Sequence, residues 1–240
     1  MIRAIALAEE TNGGLYLVHL STKEAIEAIR WGKKRGVKLF AETCPQYLLL
    51  DESVYERSDG RYYITSPPLR GKRDKEALWE GIEDGTIDVV ATDHCPFTRA
   101  QKERGKNIFF RIPNGLPGVE TLLPIMYSEG VIKRGLSPNL LVELLAYNPA
   151  RIFGLYPRKG AIEEGSDADL VISNPEREVK IQASELHVNV DYSPYEGLTL
   201  KGGPEITISR GEIIYERGNL PGSPGRGKFI PATSTNASLK

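Results

Sequence analysis

The sequence predicts an α/β fold, part of a (β/α)₈-type barrel followed by part of a small β-sandwich-like domain. Two observations favour it. Through residue 95, short and continuously apolar segments alternate with helical stretches, an order that indicates a parallel sheet with helical crossovers. From Gly160 the pattern changes to short β segments joined by turns, which predicts a separate β-rich region.

The first 95 residues predict three strands and three helices. The strands are predicted at 15–19, 37–42 and 88–92. The helices are predicted over 2–11, 22–35 and 74–84. The first strand is continuously apolar, so we expect it to be buried on both faces. Asn12-Gly13-Gly14 is expected to end the first helix, and Ser21 followed by Glu24 is the pattern of a capping box for the second.

Three further helices are predicted after a polar loop that runs from residue 95 to about 117. They are expected over 118–133, 138–147 and 149–154. Ser137-Pro138 and Asn148-Pro149 each place a cap residue before a proline that suits the first helical turn.

The last third of the chain predicts short strands and an irregular tail. The strands are expected at 168–172, 205–209 and 212–215. Arg210-Gly211 separates the last two, which predicts a hairpin. The tail, 218–240, has little apolar content and is expected to be extended or disordered.

The predicted sheet is too small to close on itself. Three parallel strands leave two open edges, and a complete (β/α)₈ barrel takes about 250 residues. We therefore predict that residues 1–155 are the C-terminal portion of such a barrel, 156–217 part of a small β domain, and 218–240 a tail. The chain is expected to be the second part of something larger.

Composition excludes several classes of protein. A formal net charge of -1 provides no chain-wide field for nucleic acid or an anionic membrane. Two cysteines without a CxxC pair exclude a disulfide scaffold or a zinc ribbon. No apolar run approaches the roughly 20 residues of a membrane helix, and the N-terminus does not resemble a signal peptide. We expect a cytoplasmic protein that binds neither nucleic acid nor membrane.

His19 and Asp93 are the candidate site residues that position alone indicates. Each follows the apolar residues of a predicted strand, and the carboxyl ends of parallel strands carry the functional groups of such sheets. An imidazole and a carboxylate are ligands for zinc, iron or manganese. The alternative is a core histidine and a loop cap. His94 adds little, because adjacent strand residues have opposite orientations.

The chain resembles the dihydropyrimidinase and D-hydantoinase group of cyclic amidohydrolases over nearly its whole length, up to about residue 230. The motifs that carry the resemblance are VHLS (18–21), AETCPQYL (41–48), TSPPLR (65–70), TDHCPF (92–97), IPNG (112–115), PRKG (157–160), GSDAD (165–169) and NVDY (189–192). SPPLR and the Gln-Tyr after Cys-Pro favour this branch over allantoinases and dihydroorotases.

The resemblance implies a hydrolase that opens a ring amide with two metal ions, of the zinc type, bridged by a carbamylated lysine. It implies that His19 is a ligand to one metal and Asp93 to the other, and that Asp93 also carries a proton from the bridging hydroxide to the leaving nitrogen. Backbone groups of Ser66 and Asn114 would hold a cyclic ureide substrate, a dihydropyrimidine or a hydantoin. Family members are homo-oligomers, with a tetramer expected.

The resemblance also leaves components unaccounted for. The family's His-x-His pair, bridging lysine, further histidine and carbonyl-polarising tyrosine all precede the region represented here, and the chain has 3 histidines. Catalytic zinc normally takes three protein ligands. We therefore expect these 240 residues alone to be inactive or very weakly active. A non-catalytic assembly protein of the same family, or a split enzyme completed by another chain, are the alternatives.

Three weaker signals predict ordinary structure. Residues 222–229 nearly match a phosphate-binding loop but have Phe229 where Ser or Thr is needed. Arg99, Lys102, Arg104 and Lys106 are expected to form a solvated surface and not a nucleic-acid patch. Cys44 and Cys95, each before a proline, are expected to be small buried residues, with a metal-binding thiolate as the alternative.

Overall fold

The computed structural model describes residues 1–105 and 107–233. The chain folds into two compact units, Met1–Leu122 with Ile181–Leu198, and Leu123–Lys180 with the chain from Thr199 onward. This division does not follow the predicted boundary at residue 155, and the three-part organisation stays a prediction. Lys106 of the basic cluster and the end of the predicted tail, 234–240, lie outside the described residues.

The first unit contains a parallel three-stranded sheet, which confirms the α/β class predicted for this region. The strands are β1 (Leu15–Leu17), β2 (Leu39–Thr43) and β3 (Val89–Val90), in the order β1-β2-β3. Leu15 pairs with Leu39, and Glu42 pairs with Val89. Parallel pairing aligns the carboxyl ends of all three strands at one edge of the sheet.

The predicted helices are present as α1 (Ile2–Thr11), which precedes β1, α2 (Lys23–Lys34), between β1 and β2, and α4 (Lys72–Glu83), between β2 and β3. The short helices α3 (Pro45–Leu49) and α5 (Arg99–Glu103) were not predicted. The left-handed residue that ends α1 is Asn12 and not a glycine. The cap of α2 is Thr22, whose hydroxyl accepts the Ala25 N–H at 3.1 Å, so the capping box predicted from Ser21 is wrong. Ser21 is instead buried.

β1 is half-buried, so the prediction that it is buried on both faces is wrong. It is an edge strand of the described sheet, with β2 on one side. Leu15 and Leu17 pack against a small core of Ile5, Val37 and Leu39. A continuously apolar run therefore does not distinguish an edge strand from a central one.

Short irregular segments complete the first unit. One-turn 3₁₀ helices lie at Glu52–Glu56, Gly60–Tyr63, Phe109–Arg111 and Ala183–Glu185. The segment Ile181–Leu198 belongs to this unit although it follows the predicted barrel region in sequence. Its Tyr192 hydroxyl donates to the Tyr62 carbonyl at 3.2 Å, which fixes the segment beside residues 60–63.

The second unit begins with helices that are more continuous than predicted. They are α6 (Leu122–Ile125), a π-helical segment (Met126–Lys133), α7 (Pro138–Val142), a second π-helical segment (Glu143–Tyr147) and α8 (Asn148–Ile152). Ser137 caps α7 as predicted, accepting the Leu140 N–H at 3.1 Å. Asn148 is itself helical, so the predicted second cap is wrong and the chain enters α8 without a break.

The second unit also contains a three-stranded antiparallel sheet of β4 (Leu170–Lys180), β5 (Thr199–Ser209) and β6 (Glu212–Glu216). The hairpin at Arg210-Gly211 is confirmed, and both residues have positive φ, as a type I′ turn requires. β4 and β5 are longer than predicted because register shifts accommodate Pro175 and Pro204, residues that interrupt a strand pattern in sequence.

The C-terminal part of the described chain is irregular, because residues 220–233 form no helix or strand. Within 1–105 and 107–233, the helices are all too short or too polar to cross a bilayer.

Candidate active site

His19 and Asp93 lie at the carboxyl edge of the parallel sheet, where the sequence predicts them. His19 is two residues beyond β1 and Asp93 three residues beyond β3, the two strands that flank β2. His19 is half-buried and Asp93 is exposed. Both have positive φ, 41° and 47°, which is uncommon for residues other than glycine. At each position the chain leaves its strand in the same left-handed conformation.

The end of β2 holds both of these segments in place. The Leu20 N–H donates to the Glu42 carbonyl at 2.8 Å, and the buried Thr43 hydroxyl donates to the Leu20 carbonyl at 2.7 Å. On the other side, the Ala91 N–H donates to the Thr43 carbonyl at 3.0 Å. Leu20, next to His19, and Ala91, before Asp93, are thus both bonded to Thr43 of the central strand.

The electrostatics of this edge keep nearby protonated groups neutral. Burial raises the pKa of the Cys44 thiol well above its usual value, and the Glu42 and Asp93 carboxylates raise it further. Burial also raises the pKa of Tyr16, whose hydroxyl donates to Glu42 at 2.6 Å. Cys44 is a small buried residue, as predicted, whereas Cys95 is only partly buried.

Ser66 lies on an exposed loop that a tyrosine joins to the end of the central strand. Tyr47, in α3, is 3% exposed and donates its hydroxyl to the Pro67 carbonyl at 2.8 Å. A second tyrosine, Tyr55, accepts the Leu69 N–H at 2.8 Å. These two bonds hold the chain on the C-terminal side of Ser66.

Asn114 lies on a second exposed loop, and the structure brings this loop to the one that carries Ser66. The Gly115 N–H donates to the Ile64 carbonyl at 3.1 Å. Gly115 has φ 146°, and a Cβ there would lie 2.5 Å from the Cys95 carbonyl oxygen, so only glycine fits. The Cys95 thiol contacts the Asn114 carbonyl at 3.7 Å, a weak S–H bond that leaves the carbonyl a second lone pair.

The imidazole of His94 is bonded to the loop that follows Asn114. Its Nδ1 accepts the N–H groups of Gly118 and Val119 at 3.0 and 3.2 Å. This nitrogen is thus an acceptor for backbone amides, and it is committed to fixing the loop after Asn114. His187 is similarly occupied, with Nδ1 2.6 Å from a Glu120 carboxylate oxygen.

Lys102 is the residue that sequence reasoning missed. It was expected on a solvated basic surface, and that expectation is wrong, because Lys102 is 0% exposed. Its ammonium donates to the carbonyls of Ile64 and Gly115 at 2.7 and 2.8 Å. Burial lowers the pKa of Lys102 to about 8. In sequence nothing distinguishes it from the charged residues beside it.

The described residues do not by themselves fit a complete metal site. Within 1–105 and 107–233, no three His, Cys, Asp or Glu residues cluster closely enough to hold an ion. His19 and Asp93 have suitable side chains and follow strands that end at the same edge of the sheet. Any metal bound at this edge would therefore need ligands in addition to these.

Comparisons with known proteins support the resemblance predicted from the motifs. The amidohydrolase family model matches residues 3–214. D-phenylhydantoinases of Escherichia coli O81 (strain ED1a) and O127:H6 are each 48% identical over 230 residues, which cover 95% of this chain and 50% of theirs. Crystal structures of a dihydropyrimidinase from Brevibacillus agri and of a D-hydantoinase are each 39% identical, with TM-scores of 0.93 and 0.96.

The matched region includes nearly all of this chain but only about half of each relative. The two structures are matched over 95% and 98% of this chain but 50% and 52% of theirs. The chain thus spans about half the length of the relatives it matches. With the family model extending over most of its residues, the chain belongs to the amidohydrolase family, and its matched relatives are hydantoinases and dihydropyrimidinases.

Proposed function

We propose that this chain takes part in the hydrolytic opening of a cyclic ureide, a hydantoin or a dihydropyrimidine. One observation carries the proposal: His19 and Asp93 follow the two strands that flank β2, at the same carboxyl edge, and both adopt the same unusual backbone conformation. A protein that served only as an assembly scaffold would need neither residue. The names of the matched relatives support the same reaction class.

The proposed role of His19 and Asp93 is to provide one ligand to each of two divalent metal ions, of the zinc type. Further ligands must come from outside the described residues, because these contain no complete cluster. A divalent ion at such a site would make water acidic enough to attack near neutral pH.

Asp93 is also proposed to move the proton. In hydrolysis a water oxygen bonds to the ring carbonyl carbon, the C–N bond breaks, and the water proton must reach the leaving nitrogen. An exposed carboxylate next to the site can accept that proton and release it to the nitrogen. Without the transfer, the leaving group would depart as an unfavourable anion.

The loops of Ser66 and Asn114 are proposed to bind the ureide through backbone groups. A cyclic ureide presents N–H donors and carbonyl acceptors in one plane, and backbone amides supply the matching partners. The hydrogen bond between Gly115 and Ile64 supports this role, because it joins the two loops directly.

We also propose that the chain is active in the cytoplasm as part of a homo-oligomer, a tetramer by analogy with its family. We also propose that the 240 residues alone hydrolyse little or nothing, since two candidate ligands cannot complete a dinuclear site.

Ring opening of hydantoin and dihydrouracil tests the proposal. The assay measures the N-carbamoyl product with the chain alone, and with added polypeptide comprising the half of E. coli D-phenylhydantoinase that this chain does not match. We expect product only in the mixture, and only with divalent metal present. A stable complex that contains metal and yields no product would refute the proposed function and favour the assembly role.

A further inference from the structure

Lys102 is a buried cation whose contacts do not resemble those of a salt bridge. Its ammonium donates to the carbonyls of Ile64 and Gly115, and it lies 5.9 Å from the centre of the Phe97 ring. Burying an ammonium is costly unless hydrogen bonds replace its hydration. An apolar residue would fill the same space without that cost, so the charge has a purpose beyond packing.

The two carbonyls lie next to the two residues proposed to bind substrate. Ile64 is two residues before Ser66, and Gly115 directly follows Asn114. The Ile64 carbonyl accepts both the Gly115 N–H and the Lys102 ammonium. Lys102 is therefore bonded to both loops, at the place where they are already bonded to each other.

The helix that carries Lys102 is itself held in place. Thr98 and Gln101 form a reciprocal capping box at the start of α5. The Arg99 N–H donates to the Asp191 carboxylate at 2.8 Å, which attaches α5 to the segment Ile181–Leu198. The ammonium therefore projects from a fixed helix into the junction of the two loops.

We propose that Lys102 is a positioning residue that sets the spacing between the Ser66 and Asn114 loops, so that their backbone groups match the ureide edge of the substrate. This inference rests on the proposed function. Two neutral hydrogen-bonded loops could slide relative to each other, whereas a cation bonded to both carbonyls favours a single arrangement. Lys102 does not touch the reacting atoms.

Amide hydrogen exchange in the 240-residue chain tests whether Lys102 joins the Ser66 and Asn114 loops. In Lys102→Met, we expect the Gly115 amide to exchange about tenfold faster or more, the size expected for losing a charge-assisted hydrogen bond. Lys75→Met is the matched control, since Lys75 also donates to a backbone carbonyl, that of Leu49, at 3.2 Å. Unchanged exchange at Gly115 in Lys102→Met would overturn the proposal.

A second measurement covers the case in which Lys102→Met does not fold. In the wild-type chain, NMR couplings across hydrogen bonds should connect the Lys102 Nζ to the carbonyl carbons of Ile64 and Gly115. A freely rotating ammonium, with averaged signals and no such couplings, would overturn the proposal without any variant.

Kinetics test the substrate role in the metal-loaded complex described above. Lys102→Met should raise KM for hydantoin about tenfold while changing kcat much less, because the loops bind the ring and do not carry the proton. If the wild-type complex hydrolyses hydantoin and the Lys102→Met complex has the same KM, this inference is overturned and the proposed function is left intact. If the wild-type complex hydrolyses nothing, the substrate role falls with the proposed function, and exchange still decides whether Lys102 joins the loops.

Discussion

The hydroxyl of Tyr47 donates to the carbonyl of Pro67 at 2.8 Å, which connects the helix after the central strand to the loop that carries Ser66. Tyr47 is 3% exposed, so its hydroxyl has few alternatives in water. The position of this loop therefore depends on the sheet edge at which Asp93 also lies.

Removing the Tyr47 hydroxyl should destabilise the chain. In Tyr47→Phe the partly buried Pro67 carbonyl loses its donor, and loss of such a hydrogen bond costs about 0.5–1.5 kcal/mol. Urea denaturation should show that decrease in the free energy of unfolding. A variant as stable as the wild type would show that this hydrogen bond does not stabilise the folded chain.

Gly115→Ala should be more damaging than an ordinary surface substitution. The added Cβ would lie 2.5 Å from the Cys95 carbonyl oxygen, at a φ that side chains rarely adopt. We expect a loss of about 1–3 kcal/mol, together with a higher KM in the active complex. Gly118→Ala is the control, because a Cβ there has open space. Equal stability of the two variants would contradict the structure at this loop.

The buried ammonium of Lys102 should make stability depend on pH in the alkaline range. Burial lowers the pKa of Lys102 from 10.5 to about 8, and the nearby Cys95 acts in the opposite direction. Below pH 8 both folded and unfolded chains hold the proton, and the cost of burying the charge is fully present. Between about 8 and 10.5 only the unfolded chain holds it, so the free energy of unfolding should rise with pH.

The comparison of wild type with Lys102→Met isolates this contribution, because other titrating groups cancel in the difference. From pH 7 to pH 10 the wild type should gain stability relative to the variant, by at most about 3 kcal/mol. Chemical denaturation at the two pH values measures it. A difference that stays constant, or that changes in the other direction, would show that the folded chain does not lower the pKa of Lys102.

The sequence was most informative where the local pattern and the tertiary environment agree. Apolar runs bounded by glycine predict the parallel strands and their crossovers, and Ser137-Pro138 predicts the start of α7. His19 and Asp93 were found because strand ends are visible in sequence. Asn148-Pro149 has the same local pattern as Ser137-Pro138, but the preceding π-helical segment continues through it.

Features that depend on distant residues were not predictable. Lys102 is buried only because Ile64, Gly115 and Phe97 converge on it, and those residues are separated in sequence. The extent of β4 and β5 depends on pairing that tolerates Pro175 and Pro204. Similarly, the Asp191 carboxylate is attached to α5 by a hydrogen bond from the Arg99 N–H, and these two residues are 92 positions apart in sequence.

Hydantoin hydrolysis by the Asp93→Asn variant tests the central claim most directly. The variant is compared with the wild type in complex with the complementary half of D-phenylhydantoinase, with Asp59→Asn as control, since Asp59 lies in an exposed ion pair with Arg57. Loss of a proton-carrying carboxylate should lower kcat by about 100-fold or more. The control should retain wild-type turnover. An Asp93→Asn complex that opens the ring at close to the wild-type rate would contradict the account.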